Sequence, residues 1–396
     1  MGKNEQTAKG GFLAALSIAA LFFSSYVGPG FAAGTQTVSY FLTKGSVGVI
    51  TAPIIVGILT FLWCYITFEF NRVYRPKDYR EQSDMIYHKK VTRHALGIFK
   101  DVFAIIQVLL VVSGMISGAA TILQSTFNIP MIVGTLAFAI VMIGLTLYGS
   151  KLVLKVGNIL TILIIGIVIM IFAIGIGKCW PATKEFIKAG STPEDYGFST
   201  GYAWVIMLSV ITLYTCGANA AVPACLFSLK TKTDVLVAAL GSAILCAGAT
   251  IACTVIFAGG MPEIGKEPIP MLYAMQNMIN AGGWSQAAYI IIALSAMLST
   301  GVGLLSGVSE RFQSVLGDVC MKNSTPVKRR AVIGIGLSIL SVALSKFGIL
   351  AIISKGYTMF TLVSAPVLIY LLFITIPCRV HFDKKNGTYP GDKQET

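Results

Sequence analysis

About ten stretches of this 396-residue chain are each long and apolar enough to cross a bilayer, which constrains the fold more than any other feature. A helix needs about 20 apolar residues to cross the hydrocarbon layer. Lipid offers no partners to bare backbone groups, so spanning segments are helices or closed barrels. The runs here are continuously apolar rather than alternating, and that pattern selects helices. Spans are expected at 11–43, 46–72, 97–126, 129–147, 151–177, 201–229, 233–259, 284–312, 329–346 and 348–378. Charged residues are 12% of the chain, against roughly 25% in soluble domains. The expected fold class is all-α and polytopic, with ten transmembrane helices in a single transmembrane domain over 1–396.

The net charge of +13 invites a nucleic-acid reading, but its placement argues otherwise. Of the 30 Lys and Arg, 23 fall in segments that share one side if there are ten spans. These are the residues before span 1, the 2–3, 4–5, 6–7 and 8–9 connections, and the tail 379–396. The positive-inside rule then puts both termini in the cytoplasm. Membrane lipid, with no nucleic acid, is the partner this pattern implies. The basic 2–3 connection, with Tyr74, Tyr79 and Tyr87 interleaved, suits anionic headgroups. The eight cysteines are scattered, mostly inside apolar runs, without metal-ligand spacing. The first apolar run is followed by further spans, so it reads as a membrane helix rather than a cleaved leader.

Span 1 is interrupted at Gly28-Pro29-Gly30 and span 6 at Cys216-Gly217-Ala218-Asn219, an offset of about 188 residues. Spans 2 and 7, and 3 and 8, keep nearly the same offset. The chain therefore reads as two sets of five spans, repeat one about 11–177 and repeat two about 201–378. Five is odd, so the second set enters from the opposite face, an inverted repeat of the kind found in secondary transporters. Broken helices in lipid persist where protein or a water-filled cavity surrounds the break. Pro29 removes an amide and disfavours helical geometry at Gly28. Freed amides can hold an anionic group and freed carbonyls a cation. No nucleotide-loop Lys-Ser or Lys-Thr follows these glycines.

The stretch Val27-Gly28-Pro29-Gly30-Phe31-Ala32, continued by Gly34 and Gln36 and opening a ten-span chain, resembles the YkvI-type bacterial membrane proteins. These in turn resemble the LeuT-type fold of the amino acid–polyamine–organocation superfamily. The resemblance implies a protein of the bacterial cytoplasmic membrane with helices 1 and 6 broken at mid-membrane. It implies a sodium ion held by the span 1 carbonyls of Ser24 and Val27 and by Ala296, Ser299 and Thr300 of span 8. Without the resemblance, Ser299 and Thr300 equally suit hydroxyls bonded to their own helix. The unwound part of span 6 would line the substrate pocket with Tyr214, Gly217 and Asn219; Asn219 could instead bond a neighbouring helix. Gly28, Gly30 and Phe31 would contribute from span 1. Ser113 and Ser117 share a face of span 3, where small-residue spacing fits either pocket lining or close helix packing.

Asp, Glu and His are absent from the middle of every expected span, which disfavours a carboxylate proton relay. Lys355 is the one internal charge. It lies roughly 10 Å deep if span 10 starts near 348, or snorkels to the outer interface if the helix starts after it. Glu310 and Lys9 suit either a cytoplasmic ionic gate or ordinary interfacial charges. The 262–282 connection is expected to hold a short helix over the extracellular vestibule. These features favour a non-enzymatic secondary transporter, a sodium symporter of an amino acid or similar small zwitterion or carboxylate. A proton-coupled transporter or exchanger built on Lys355, and a non-transporting sensor on the same fold, are the alternatives. No cofactor beyond sodium is expected, and the chain is read as a monomer or homodimer.

Overall fold

The computed structural model describes residues 2–27, 29–42, 45–76, 85–86, 90–190, 228–280, 282–319 and 321–393. Among the described residues there are helices and no strands. The first span comes in three pieces, α1 (Gly2–Tyr26), α2 (Pro29–Ala33) and α3 (Thr35–Tyr40). Next come α4 (Ser46–Tyr74), α5 (Lys90–Phe127), α6 (Met131–Gly144), α7 (Ser150–Ala189) and α8 (Lys232–Ala258). A short α9 (Pro270–Tyr273) follows, then α10 (Gly283–Val319) and α11 (Pro326–Ser345). The last apolar stretch is built from α12 (Ile349–Ala351), a π-helical turn Ile352–Tyr357, α13 (Thr358–Ile369), a second π turn Tyr370–Thr375 and α14 (Ile376–Lys385).

The helix positions follow the apolar runs to within a few residues at most ends. α1 begins nine residues before the expected 11, α5 seven before 97, α7 runs twelve beyond the expected 177 and α10 seven beyond 312. Helical backbone outlasts the apolar run at those ends, because charged residues continue a helix into water without penalty. The expected span 201–229 lies almost wholly outside the described residues. Four helical segments are long and apolar enough on their own to cross a membrane: Gly48–Tyr74, Gly97–Phe127, Lys232–Ala258 and Gly283–Gln313. Pro326–Ser345 and Ile349–Tyr357 together pass the same test, bent by 103° at the break between them.

Helix ends carry their own punctuation. Thr231 and Asp234 form a capping box at the start of α8, each side chain accepting from the other's backbone amide at 3.1 and 3.0 Å. Thr325 caps α11, with Pro326 in its first turn. Helices then approach closely at small residues. A Cβ added at Gly134 would sit 3.2 Å from the Ala120 Cα, and one at Gly241 3.0 Å from the Ala19 Cβ. This is how apolar helices associate where lipid removes the hydrophobic drive between them.

The outward faces are apolar in helical register. Ile50, Ile54 and Ile58 project from α4, and Leu236, Leu240, Ile244 and Ile251 from α8. Such stripes, repeated around the molecule, suit lipid and not water. Together with the spanning helices, they make this an integral membrane protein.

Segments that share a side by charge also meet in space. Arg72 donates to the Lys230 carbonyl, Gly11 lies against the Asp234 carboxylate, Arg311 pairs with Asp101, and Glu310 pairs with Arg330 at 3.1 Å. Glu310 is thus engaged within the α10–α11 pair. The Lys9 side chain lies outside the described residues.

Candidate functional site

The first span ends its helix at Tyr26, with the Val27 amide still bonded to the Phe23 carbonyl at 3.0 Å. Helix resumes at Pro29, a residue well suited to a first turn because it lacks an amide. The terminal turn of a helix leaves carbonyls without intrahelical donors, and Ser24 and Val27 lie in that turn. Val27, Gly30 and Phe31 are buried, and the Phe31 ring lies 5.0 Å from that of Tyr26. Tyr26 in turn shares a 3.1 Å hydrogen bond with Thr250 of α8.

A second break was not anticipated from the sequence. Gly34 has φ +84°, a left-handed conformation that favours glycine, and it separates α2 from α3. A Cβ there would stand 2.6 Å from the Phe257 ring and 3.0 Å from the Met271 amide nitrogen. The turn sends α3 back beside the first break. The Gln36 carboxamide oxygen comes within 3.0 Å of where a Gly30 Cβ would be, with Ile353 on the other side at 3.3 Å. Gly30 therefore lets two side chains from different elements close over the backbone at the break.

The 262–282 connection packs onto this corner. It holds a 3-10 turn Glu263–Lys266, α9 and a π turn Ala274–Ile279. Thr35 donates to the Pro268 carbonyl at 3.0 Å, and Lys178 reaches the Ile279 carbonyl. The expected short helix is present and covers the end of the first span.

α10 meets α2 directly, where the buried Tyr289 hydroxyl donates to the Ala32 carbonyl at 3.0 Å. Two turns further along the same face, about 10 Å by the helix rise, stands Ala296, with Thr300 one turn beyond. Ala296 and Thr300 are buried and Ser299 is half-buried. Several hydroxyls in these helices bond back to their own backbone: Ser113 to Leu110, Thr121 to Ser117, Ser242 to Ala238 and Thr254 to Thr250. Among the described residues, Ser299 and Thr300 make no such bond. The buried hydroxyls of Ser306 and Ser309 on the same helix likewise have no hydrogen-bond partner among the described residues.

Ser113 and Ser117 are both fully buried on α5. Ser113 is occupied by its own helix, whereas Ser117 Oγ has no hydrogen-bond partner among the described residues. Lys355 is in the π turn 352–357 with its side chain exposed. Gly28, Tyr214, Gly217, Asn219 and the side chain of Ser24 lie outside the described residues. Sequence reasoning missed Tyr289, Tyr40 and Tyr357, and it held Gly34 only as a glycine of the span 1 motif. Gln36 was visible only as the end of the Gly-Pro-Gly motif.

No protein-family model matches the chain, and no curated protein matches it in sequence. Solved structures do match its fold. A variant of the manganese transporter of Eremococcus coleocola superposes with a TM-score of 0.57 at 14% identity, over 91% of this chain and 78% of that one. A Na+-coupled sialic acid symporter in a substrate-bound outward-open state superposes with a TM-score of 0.55 at 15% identity, over 92% of this chain and 85% of that one. Both neighbours are transporters rather than enzymes. At these identities the likeness is one of architecture, and it defines the class: an all-α membrane protein with the LeuT-type fold.

Proposed function

We propose that the protein is a secondary active transporter that moves a small zwitterionic or carboxylate solute, of amino-acid type, by alternating access with sodium as the coupling ion. The observation that carries this is the pair Ser299 and Thr300, whose hydroxyls make no hydrogen bond among the described residues on a helix whose same face is bonded to the broken first span. Sodium is a hard cation that takes neutral oxygens. The carbonyls of Ser24, Val27 and Ala296 and the hydroxyls of Ser299 and Thr300 would supply five.

The solute's carboxylate would meet the amides of the breaks at Gly28, Gly30 and Gly217, where half-helix N-termini carry partial positive charge. Phe31 and Tyr214 would cap it, with Asn219, Ser113 and Ser117 lining the pocket. The described carboxylates near the span ends are engaged elsewhere: Glu69 with Arg72, Asp101 with Arg311, Glu310 with Arg330, and Asp234 in its cap. That favours neutral-oxygen coupling over a carboxylate relay. The sodium dependence of one structural neighbour supports the same choice.

Uptake of amino acids into proteoliposomes, under a sodium gradient or a proton gradient imposed separately, tests the proposal. Sodium should drive accumulation, and Thr300→Ala should raise the sodium concentration for half-maximal uptake roughly tenfold, the equivalent of about 1.4 kcal/mol. An unchanged sodium response in that variant removes the ion site. Accumulation under a proton gradient alone, lost in Lys355→Gln, transfers the coupling to Lys355.

A further inference from the structure

Beside the break lies a set of buried hydroxyls, of which the proposed pocket uses Ser117 alone. The turn at Gly34 lays α3 against the π turn 352–357, and that turn packs on α5. They meet at Gly114, where an added Cβ would be in ordinary contact with Ile352 at 3.8 Å and the Tyr357 hydroxyl at 4.0 Å. Ser117 is three residues on, on the same face of α5. Tyr40 is the last residue of α3, the helix that touches the turn carrying Tyr357. Tyr40 is 4% exposed and Ser117 0%, yet among the described residues neither hydroxyl has a hydrogen-bond partner.

Buried polar atoms are nearly always bonded, and an open one calls for an explanation. The two open hydroxyls are on α3 and α5, the helices on either side of the π turn 352–357, whose Ile353 meets the backbone at Gly30. The charged side chain of the adjoining turn, Lys355, is exposed. Among the described residues, an ionised group would therefore enter without a counter-charge from that turn. A hydrocarbon group would leave the hydroxyls unpaired, the mismatch that polar pockets reject most strongly. An uncharged donor–acceptor group meets neither penalty.

We propose that Tyr40, Ser117 and Tyr357 line a charge-free polar compartment that takes an amide or hydroxyl group of the transported solute in preference to a hydrocarbon group of similar size. This rests on the amino-acid transporter proposal and narrows its substrate class to neutral solutes with a polar side chain.

Thermal melts of the purified full-length protein in sodium-containing detergent buffer test it with two near-isosteric pairs, L-asparagine against L-leucine and L-serine against L-alanine. A ligand that binds the folded state raises the melting temperature by mass action. The polar member of at least one pair should give the larger shift. Tyr40→Phe and Ser117→Ala should each weaken its apparent affinity several-fold, up to roughly tenfold. Neither substitution should lower the ligand-free melting temperature, because each removes an unbonded hydroxyl. Equal shifts from both members, unchanged in the variants, overturn the compartment and leave the amino-acid proposal standing. A lower ligand-free melting temperature in Tyr40→Phe marks a structural hydroxyl and also overturns it. No shift from any of the four removes both proposals.

Discussion

The Tyr74 hydroxyl, on the last residue of α4, donates to the Asp383 carboxylate of α14 at 2.6 Å. Asp383 is only 2% exposed and pairs with Arg379 at 2.8 Å. Stacking of Tyr74 on Phe70, and the edge contact of Tyr389 with Tyr74, hold the same corner. The chain's final helix is thereby tied to the end of the second span. Removing one partner of a buried ion pair leaves the other charge uncompensated and costs about 3–5 kcal/mol. Losing one neutral donor costs about 1 kcal/mol. Asp383→Ala should therefore lower the melting temperature of the detergent-solubilised protein clearly more than Tyr74→Phe. The Tyr74→Phe/Asp383→Ala double variant should melt close to Asp383→Ala alone, because the two share one interaction. Additive losses would show that the two side chains act separately.

Gly34→Ala should be among the most damaging small substitutions in the protein. The left-handed backbone there disfavours any Cβ by roughly 1 kcal/mol. The added carbon would also stand 2.6 Å from the Phe257 ring and 3.0 Å from a backbone nitrogen. Gly282 has a similar φ of +93°, but the nearest atom to an added Cβ is at 3.5 Å. Gly282→Ala should pay the backbone cost alone. Comparing the two melting temperatures separates strain from crowding. If Gly34→Ala melts no lower than Gly282→Ala, the close packing of Phe257 on Gly34 is wrong.

Much of this architecture was legible in the sequence because lipid enforces it. Continuous apolar runs fixed where helices such as α4 and α8 begin and end, and the Gly28-Pro29-Gly30 interruption marked the first break. The rest was hidden for identifiable reasons. Gly34 looks like any glycine in an apolar run, and only the aromatic ring of Phe257, more than two hundred residues away, reveals why it must lack a side chain. Tyr289 carries no local motif, since its partner is a carbonyl freed by a break elsewhere in the chain. Tyr40 and Tyr357 acquire meaning only when α3 folds back. Ser299 and Thr300 stood out by spacing under a family resemblance. Whether they bonded their own helix was a matter of three-dimensional geometry, and the sequence left it open.

Ser299→Ala and Thr300→Ala offer a second comparison with a sharp sign. Each removes a hydroxyl that makes no hydrogen bond among the described residues, so ligand-free stability should change by less than about 0.5 kcal/mol. Ser338→Ala, by contrast, deletes a buried hydroxyl bonded to the Gly334 carbonyl at 2.7 Å. Melts run in sodium and in potassium give the second axis. The stabilisation that sodium confers on the parent protein should be lost in both the Ser299 and Thr300 variants and kept in Ser338→Ala. Equal sodium stabilisation in all four proteins would take these two hydroxyls out of the ion site.

Tyr289→Phe should loosen the first span where α10 holds it. The substitution keeps the ring and removes the 3.0 Å bond to the Ala32 carbonyl. That carbonyl is then left unpaired beside a helix break, at a cost of about 1–3 kcal/mol. The affected segment, 29–40, lies against α8, where Cys253 is fully buried. Thiol reagents reach such a residue only through local opening. Cys64 is also fully buried, but on α4, and serves as an internal reference. Peptide mapping after timed maleimide treatment should show Cys253 labelled several-fold faster in Tyr289→Phe than in the parent, with Cys64 unchanged. Parallel acceleration at both cysteines would indicate global destabilisation. Acceleration at neither would mean that the packing of α9 and the Thr35 bond to Pro268 hold the segment without help from Tyr289.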